Sequence, residues 1–346
     1  MDISIYVNEF TKKAQELNYT EDHIMICLEY ARSLYNKGVP IIYDQEHLSK
    51  LVGVNLCYLY GVTNNSVLYY RKFKIKKRSG RKRIIQEPLP LLKEIQKWIC
   101  ENILIKLDTS IYSKAYKRGM SIKDNAKFHK KQKRVIAMDI KDYFTSIKFY
   151  KVYNLFSSLG YKEEVAVMLS KLCTYNGYLP QGAPTSPMLS NLVTKQLDEK
   201  IFNMCMGIDS KTRYSRYADD MTFSGDISPD ILIRKVRRII NTEGFTINDA
   251  KTRVYEQNKC QKVTGIVVNS KMQISRTQRD GVRQEVYYLC KYGIKEHLLR
   301  IKWNKSQKAY IRNLWGRVNY ILFVNPKDNK ISKCKVQLEK FKTKLI

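Results

Sequence analysis

The chain has 346 residues, and its 63 Lys and Arg against 32 Asp and Glu give a formal net charge of +31. This length allows about two domains, and the charge exceeds what solubility requires. Ribosomal and membrane-surface proteins share such a charge, but a nucleic acid is the partner it most favours. No apolar run approaches the roughly 18 residues of a membrane helix, and the N-terminus lacks the features of a signal peptide. We therefore expect a cytoplasmic protein without a membrane partner.

The cysteines indicate the same compartment. Eight are scattered singly, without a CxxC pair and with only four histidines in the chain. This pattern argues against structural zinc and is typical of reduced thiols in a cytosolic protein.

The first 35 residues differ from the rest, because they carry six acidic and only three basic side chains. Apolar residues recur at steps of three and four from Ile24 to Tyr35, and Gly38 and Pro40 follow. This spacing predicts a helix that ends before Gly38. The segment 1–35 either caps the core or offers a surface to a protein partner.

A basic run follows at residues 71–83, where nine of thirteen side chains are Lys or Arg and none is acidic. Ser79 and Gly80 predict a turn inside it, and the flanking apolar residues alternate as in a hairpin. Lys76 and Arg83 on this hairpin are candidate contacts to a triphosphate or template. The alternative is a solvated strand edge protected by its lysines.

The remaining elements are predicted from apolar spacing and turn residues. We expect strands at residues 135–139 and 245–248, a hairpin with Asp219 and Asp220 at its turn, and a loop at residues 179–182. Helices are expected after Pro90, over residues 148–176, through residues 189–197 and over residues 231–240.

Three aspartates form the strongest motif. Asp139 ends the apolar run 135–138, and Asp219 and Asp220 follow 80 residues later in the sequence Tyr-Ala-Asp-Asp. An isolated Asp-Asp pair is usually a solvated turn, but here a PQGAPTSP loop lies between the two motifs. Two divalent cations about 3.5–4 Å apart need shared carboxylates, and such a pair supports in-line phosphoryl transfer. We predict that Asp139 and Asp219 hold two metal ions and catalyse nucleotide addition, and that Asp220 is either a third ligand or a residue that supports the ligands.

Three further residues are candidates around this chemistry. Phe144 could wall the sugar pocket and exclude a ribose 2′-hydroxyl, or it could be ordinary core. Gln181, beside the flexible Gly182, could bring the backbone close to a base or ribose. Lys251 could protonate the leaving pyrophosphate as a general acid, or it could be a solvated lysine.

Together these motifs resemble those of the reverse transcriptases, and in particular the bacterial retron branch. Residues 125–129 (NAKFH) are similar to the NAxxH element of retron enzymes, and residues 263–265 (VTG) to their VTG element. Residues 83–99 are similar to their fingers. The resemblance spans roughly residues 65 to 325.

The resemblance implies an α+β right-hand polymerase fold with fingers, an antiparallel-sheet palm and a helical thumb. Its predicted limits are residues 36–133 and 148–178 for the fingers, 134–147 and 179–270 for the palm, and 271–346 for the thumb. The thumb segment carries nineteen basic and five acidic residues, and its tyrosines and tryptophans suit stacking on bases. Several of these aromatic residues must instead belong to the core.

The resemblance also implies the substrates and partners. Retron enzymes use dNTPs and prime from the 2′-hydroxyl of an internal guanosine in a structured non-coding RNA. They copy part of that RNA into branched RNA-linked DNA (msDNA). Two Mg²⁺ ions are the implied cofactors, with Mn²⁺ as an alternative in vitro. A separate effector or toxin protein and a role in anti-phage defence are implied as well.

The same resemblance suggests which residues contact RNA or primer. They are Asn125 and His129 of the first element, Val263, Thr264 and Gly265 of the second, and Arg312 and Arg317 in the thumb. For His129 the alternative is a structural, hydrogen-bonded histidine.

Two other functions remain open. One is a reverse transcriptase of another bacterial lineage, of the intron, diversity-generating or abortive-infection type. The other is a non-catalytic RNA-binding scaffold that retains a polymerase fold, although none of the three aspartates nor the glutamine loop is lost.

Overall fold

The computed structural model describes residues 2–76, 80 and 82–345. It divides into two compact units. Unit 1 comprises Met1–Tyr116, Ile140–Asn203 and Lys235–Ile247, and unit 2 comprises Lys117–Asp139, Met204–Arg234 and Asn248–Ile346.

Fifteen helices lie within the described residues. The first eight are α1 (Ile3–Glu16), α2 (Glu21–Asn36), α3 (Gln45–Val52), α4 (Leu56–Asn64), α5 (Pro90–Asn102), α6 (Ile122–Phe128), α7 (Tyr143–Ser146) and α8 (Phe149–Ser158). The others are α9 (Glu163–Cys173), α10 (Ser186–Val193), α11 (Lys195–Met206), α12 (Pro229–Thr242), α13 (Arg276–Arg300), α14 (Gln307–Val324) and α15 (Asn329–Leu345). Within this part of the chain, no helix has both the length and the apolar character needed to cross a bilayer.

Eight strands accompany them. They are β1 (Tyr70–Lys76), β2 (Lys82–Pro88), β3 (Arg134–Asp139), β4 (Arg213–Tyr217), β5 (Asp220–Gly225), β6 (Arg253–Glu256), β7 (Lys262–Val263) and β8 (Ile266–Val267). Short 3₁₀ helices cover Ser66–Tyr69, Leu104–Lys106 and Asp249–Lys251.

Unit 1 is mainly helical. The helix predicted before Gly38 is confirmed as α2, whose buried residues include Ile24, Leu28 and Leu34. Helix α1 was not predicted as a separate helix, although its apolar residues Ile3, Val7, Phe10 and Ala14 recur at steps of four and three. Helix α9 is buried on nearly all sides, as expected of a helix surrounded by others.

The predicted basic hairpin is confirmed as the antiparallel pair of β1 and β2, with Lys76 opposite Lys82. Ser79, which belongs to the predicted turn, lies outside the described residues. The apolar residues that flank the turn are not buried, because Phe73, Ile75 and Ile84 are between 39% and 51% exposed. The hairpin therefore presents cations and apolar side chains together to solvent.

Unit 2 contains a four-stranded antiparallel sheet in the order β4-β5-β3-β6. The predicted strand 135–139 is β3, and the predicted hairpin is β4 and β5. Strand β3 is buried along most of its length, which explains its apolar sequence. Asp139 therefore stands at the end of a strand that the core of the sheet holds in place.

The same unit contains the basic C-terminal segment, which forms helices α13, α14 and α15. Their apolar faces share one hydrophobic core with Val135 of the sheet, Ala126 of α6 and Val263 of β7. Helix α13 is kinked at Gly293, where φ is 74°, a conformation that glycine tolerates best. The predicted helical character of residues 271–346 is therefore confirmed.

Other predictions need adjustment. The helix expected over residues 148–176 is two helices, α8 and α9, separated at Gly160, where φ is 92°. The helix expected through residues 189–197 is likewise two, α10 and α11. The strand expected at residues 245–248 is wrong: Ile247 makes only an isolated bridge with Ile140. Two backbone hydrogen bonds join this stretch to residues 139–141, but they do not continue into a ladder.

Candidate active site

The Tyr-Ala-Asp-Asp sequence forms the tight turn between β4 and β5. Tyr217 pairs with Asp220, so Ala218 and Asp219 are the two turn residues, and Asp220 is the first residue of β5. Ala218 has a φ of 58°, which is unfavourable for a residue with a Cβ. The fully buried guanidinium of Arg216 donates a hydrogen bond of 3.0 Å to the carbonyl of Ala218, which supports this strained backbone.

Asp139 lies directly beside this turn, because it pairs with Asp220 across β3 and β5. Its carboxylate is only 3% exposed and its two oxygens have different partners. Asn248 Nδ2 donates to Oδ1 at 3.0 Å, and Lys251 Nζ lies 2.5 Å from Oδ2. Residues 249–251 form a 3₁₀ turn, in which residues three apart lie on one side, so Asn248 and Lys251 both reach Asp139.

The electrostatics reflect three crowded carboxylates. Loss of surrounding water and, to a smaller extent, the charges of Asp219 and Asp139 together raise the pKa of Asp220 to about 6, although one edge of the residue is exposed. Partial burial alone would lower the pKa of the Lys251 ammonium. Its hydrogen bond to Asp139 and the charges of the three aspartates outweigh burial and raise that pKa.

These residues fit divalent cations by their chemistry. Hard carboxylate oxygens are the ligands that Mg²⁺ and Mn²⁺ prefer, and a bound cation would relieve the repulsion that raises the pKa of Asp220. Across residues 2–76, 80 and 82–345, no three His, Cys, Asp or Glu side chains already converge on a metal position. Lys251 supplies the positive charge next to Asp139 in this arrangement.

Asn125 and His129 lie behind the same hairpin and are fully buried. The imidazole of His129 is within 2.7 Å of the Ser224 hydroxyl through Nδ1 and of the Ser215 hydroxyl through Nε2. Ser215 in turn donates to Asn125 Oδ1 at 2.6 Å. Neither side chain offers the exposed edge that their predicted RNA contact requires, and His129 matches the alternative of a hydrogen-bonded structural histidine.

Residues 263–265 form the turn of the small hairpin β7–β8. Val263 pairs with Ile266, and both intervening residues have positive φ, 45° for Thr264 and 85° for Gly265. Two-residue hairpin turns require such angles, and glycine supplies them readily. Val263 is 1% exposed and belongs to the core of unit 2, so only the turn could face a primer.

The candidate nucleotide-binding residues Phe144, Gln181, Lys76 and Arg83 all belong to unit 1. Phe144 is partly exposed and contacts the rings of Tyr143 and Tyr116, with centroids 5.5 and 6.5 Å away. Lys76 and Arg83 are exposed on the β1–β2 hairpin, as binding to a triphosphate or template would require.

The Gln181 loop is attached to strand β2 through Gln86. The backbone N–H of Gln86 donates to the Gln181 carbonyl at 2.9 Å, and the Gln181 N–H donates to Gln86 Oε1 at 3.2 Å. Gln86 Nε2 also donates to the Tyr178 hydroxyl at 2.9 Å. Gly182 packs so closely that a Cβ there would lie 2.8 Å from the Gln86 carbonyl oxygen.

The C-terminal helices carry the remaining candidates. Arg312 is exposed, whereas Arg317 forms a 2.8 Å ion pair with Glu285. Tyr310, Trp303 and Trp315 belong to or pack against the hydrophobic core, which confirms that part of the aromatic set is structural. An open groove of about 610 Å³ between α13 and α15 is lined by Arg276, Arg279, Arg283, Lys330, Tyr287 and Tyr288, among others.

Sequence reasoning missed three residues of these sites. Asn248 holds Asp139, Arg216 supports the turn, and Gln86 holds the glutamine loop. The spacing of Asn248 and Lys251 by three residues was a usable signal. For Arg216 and Gln86 no local pattern exists, because their partners are set by strand pairing and loop packing.

Comparison with known proteins agrees with this geometry. The family model "Reverse transcriptase (RNA-dependent DNA polymerase)" matches residues 75–268, more than half of the chain. The Retron Ec86 reverse transcriptase of Escherichia coli is 32% identical over 305 residues, covering 86% of this chain and 89% of the relative. The Retron Mx65 reverse transcriptase of Myxococcus xanthus is 31% identical over 316 residues, covering 84% and 70%.

Among solved structures, telomerase from Candida albicans in complex with a TWJ fragment of telomeric RNA has a TM-score of 0.45 and 11% identity. The match covers 82% of this chain and 66% of that chain.

The family match and the retron relatives confirm the α+β polymerase fold and the enzyme class predicted from the motifs. Membership of the family implies use of a divalent metal, an RNA template and dNTP substrates. The chain belongs to the reverse transcriptases, and within that family it is a retron-type RNA-directed DNA polymerase.

Proposed function

We propose that this enzyme makes msDNA: it copies part of a structured non-coding RNA into single-stranded DNA joined to the RNA at an internal guanosine 2′-hydroxyl. The observation that carries the polymerase chemistry is the pairing of Asp139 with Asp220 next to the Asp219 turn. Similarity to several retron reverse transcriptases supports the specific product.

In this proposal Asp139, Asp219 and Asp220 hold two Mg²⁺ ions, with Mn²⁺ as a substitute in vitro. Bound cations of this kind make the attacking hydroxyl more acidic and neutralise charge on the leaving pyrophosphate. Asn248 fixes the orientation of the Asp139 carboxylate through its 3.0 Å hydrogen bond. Lys251, whose ammonium lies 2.5 Å from Asp139 Oδ2, is the proposed proton donor to the leaving pyrophosphate.

The nucleotide and RNA contacts are part of the same proposal. Phe144 excludes the ribose 2′-hydroxyl, and Gln181, Lys76 and Arg83 contact the nucleotide or template. The predicted fingers, palm and thumb limits are retained as a proposal, with the basic segment 271–346 as the RNA-recognising part. The groove between α13 and α15 supports this role through tyrosines on which bases can stack. It also carries an excess of cations for phosphates, since Arg276, Arg279, Arg283 and Lys330 outnumber their partners Asp280 and Asp328.

The decisive experiment is coexpression of the chain with its flanking intergenic DNA, beside the double variant Asp219→Ala with Asp220→Ala. We expect a small DNA joined to RNA by a debranching-sensitive linkage, and we expect it to be lost in the variant. Activity on an added primer and template without a branched product would indicate another reverse transcriptase lineage. Inactivity on both substrates would indicate an RNA-binding scaffold.

We further propose that the enzyme acts in anti-phage defence with a separate effector or toxin protein, which binds the N-terminal segment 1–35. Leu17, Met25 and Ile26 of this segment are 70%, 58% and 65% exposed, in a region whose net negative charge disfavours nucleic acid. Exposed apolar residues of this kind are typical of protein interfaces. Changing Met25 and Ile26 to lysine should release a copurifying neighbour-encoded protein without reducing polymerase activity. Unchanged copurification would refute this surface.

A further inference from the structure

Four buried polar side chains join helix α6 to the hairpin that carries the Asp-Asp pair. They are Asn125 and His129 from the α6 region, Ser215 from β4 and Ser224 from β5, and each is 0% exposed. Burying a polar group is costly unless hydrogen bonds compensate for the lost water. Here three contacts of 2.6–2.7 Å connect the four residues.

The chemistry of the partners sets the direction of these hydrogen bonds. Asn125 Oδ1 can only accept, so Ser215 uses its single hydrogen to donate to it. The Ser215 oxygen must then accept from His129, which requires the tautomer with hydrogen on Nε2. In the neutral ring Nδ1 carries no hydrogen and accepts from the Ser224 hydroxyl. The hydrogen bonds therefore all run in one direction: Ser224 donates to His129, His129 to Ser215, and Ser215 to Asn125.

The imidazole thereby bridges both strands of the hairpin. Ser215 lies opposite Thr222, two residues from Ser224 on the neighbouring strand. Because side chains alternate along a strand, Ser224 and Asp220 of β5 point to the same face of the sheet. At about 3.4 Å per residue the network lies roughly 14 Å along β5 from Asp220.

We infer that Asn125 and His129 are positioning residues, which lock the β4–β5 hairpin against helix α6 so that Asp220 stays opposite Asp139. This inference rests on the proposed role of the three aspartates as the catalytic carboxylates. Apolar packing would bury the same area, but it would permit small sliding movements of the hairpin, whereas directional hydrogen bonds to both strands oppose them. Displacements of about 1 Å near a reacting centre can reduce rates by about 100-fold.

The way in which helix α6 is anchored supports this positioning role. Its first turn is fixed by a capping box in which Ser121 and Asp124 satisfy each other's backbone groups, an arrangement that stabilises a helix start. Ala126, on the same short helix, packs in the hydrophobic core shared with α13–α15. His129 therefore extends from a firmly anchored element and can act as a fixed reference for the hairpin.

The test compares two alanine variants of the network with a matched control. Ser215→Ala and Ser224→Ala each remove one hydroxyl while keeping the side-chain volume nearly constant. Ser170→Ala is the control, because Ser170 is also 0% exposed and donates a 2.6 Å hydrogen bond to a carbonyl, that of Ala166. Steady-state primer extension on an added template, RNA affinity and the melting temperature are measured for all three.

For the network variants we expect kcat to fall between about 10- and 100-fold, with the dNTP KM and RNA affinity within about twofold. The Mg²⁺ concentration for half-maximal activity should rise, because the carboxylates are less well aligned. The control should lose a similar amount of thermal stability and keep its kcat and Mg²⁺ dependence.

Two results would overturn the inference. If RNA affinity falls while kcat at saturating RNA is unchanged, Asn125 and His129 serve RNA binding. If kcat changes no more in the network variants than in Ser170→Ala, the network serves stability alone. The catalytic role of the aspartates is tested separately and first, by primer extension on an added template with Asp219→Ala. If that variant keeps its activity, the catalytic assignment itself is refuted.

Discussion

Replacing Gly182 by alanine should disturb the glutamine loop more than its small size suggests. The residue has a φ of +138°, and an added Cβ would lie 2.8 Å from the Gln86 carbonyl oxygen and 2.9 Å from Cγ2 of Ile85. The carbonyl cannot move easily, because the Gln86 N–H is hydrogen-bonded to the Gln181 carbonyl at 2.9 Å. The loop and the strand must therefore separate.

The expected size of the effect follows from two contributions. A non-glycine residue in such a sparsely populated backbone region is strained by about 1–3 kcal/mol, and overpacking against a fixed neighbour adds about 1–3 kcal/mol. We expect Gly182→Ala to lower the free energy of unfolding by about 2–6 kcal/mol, measured by urea denaturation. Because Gln181 is displaced, the dNTP KM should rise in primer extension as well.

Gly177→Ala is the matched control. Gly177 also has a positive φ, +79°, but a Cβ added there would have no atom within 4 Å. Only backbone strain remains at this position, which amounts to about 1–2 kcal/mol. Equal destabilisation by the two substitutions, with an unchanged KM in both, would refute the close approach of Gly182 to Gln86.

Three other predictions concern separate parts of the chain. Phe144→Ala should allow ribonucleotide incorporation while RNA binding persists, because the ring that blocks a 2′-hydroxyl is removed; unchanged sugar discrimination in single-nucleotide assays would contradict the steric gate. Charge reversal of Lys76 and Arg83 to glutamate should raise the dNTP KM more than it lowers the melting temperature, since both side chains are exposed; the opposite pattern would indicate a purely structural edge. Gly316→Ala, at an exposed position of α14 with no atom within 4 Å of the new Cβ, should stabilise the protein by about 0.5–1 kcal/mol. A lower melting temperature by calorimetry would count against that prediction.

Local patterns were sufficient for many elements of the fold. The spacing of apolar residues predicted α2, α5 and α12, and a short apolar run ending in Asp139 predicted β3. Such patterns succeed because each reports the one face that an element buries. They failed for residues 245–248, which make an isolated bridge to Ile140 instead of a strand ladder.

In the active site, too, the sequence predicted some features and the tertiary structure decided others. The order of the Asp139 motif, the glutamine loop and the Asp219–Asp220 pair along the chain was enough to predict a two-metal polymerase centre and its family. Strand register decided that Asp220 stands opposite Asp139 and that Ala218 and Asp219 make the turn. The 3₁₀ turn at residues 249–251 decided that Lys251 and Asn248 share the oxygens of Asp139.

Residues 125–129 show most clearly what local sequence patterns cannot predict. The sequence alone determined that this chain is a basic polymerase with three metal-binding candidates and an NAxxH-like element, because residue types and their order are local properties. Only the tertiary structure decided that Asn125 and His129 are buried and bound to Ser215 and Ser224. Those partners lie 86 to 95 residues away from His129, and hydrogen bonding between distant segments depends on how sheet and helix pack, which no local pattern records.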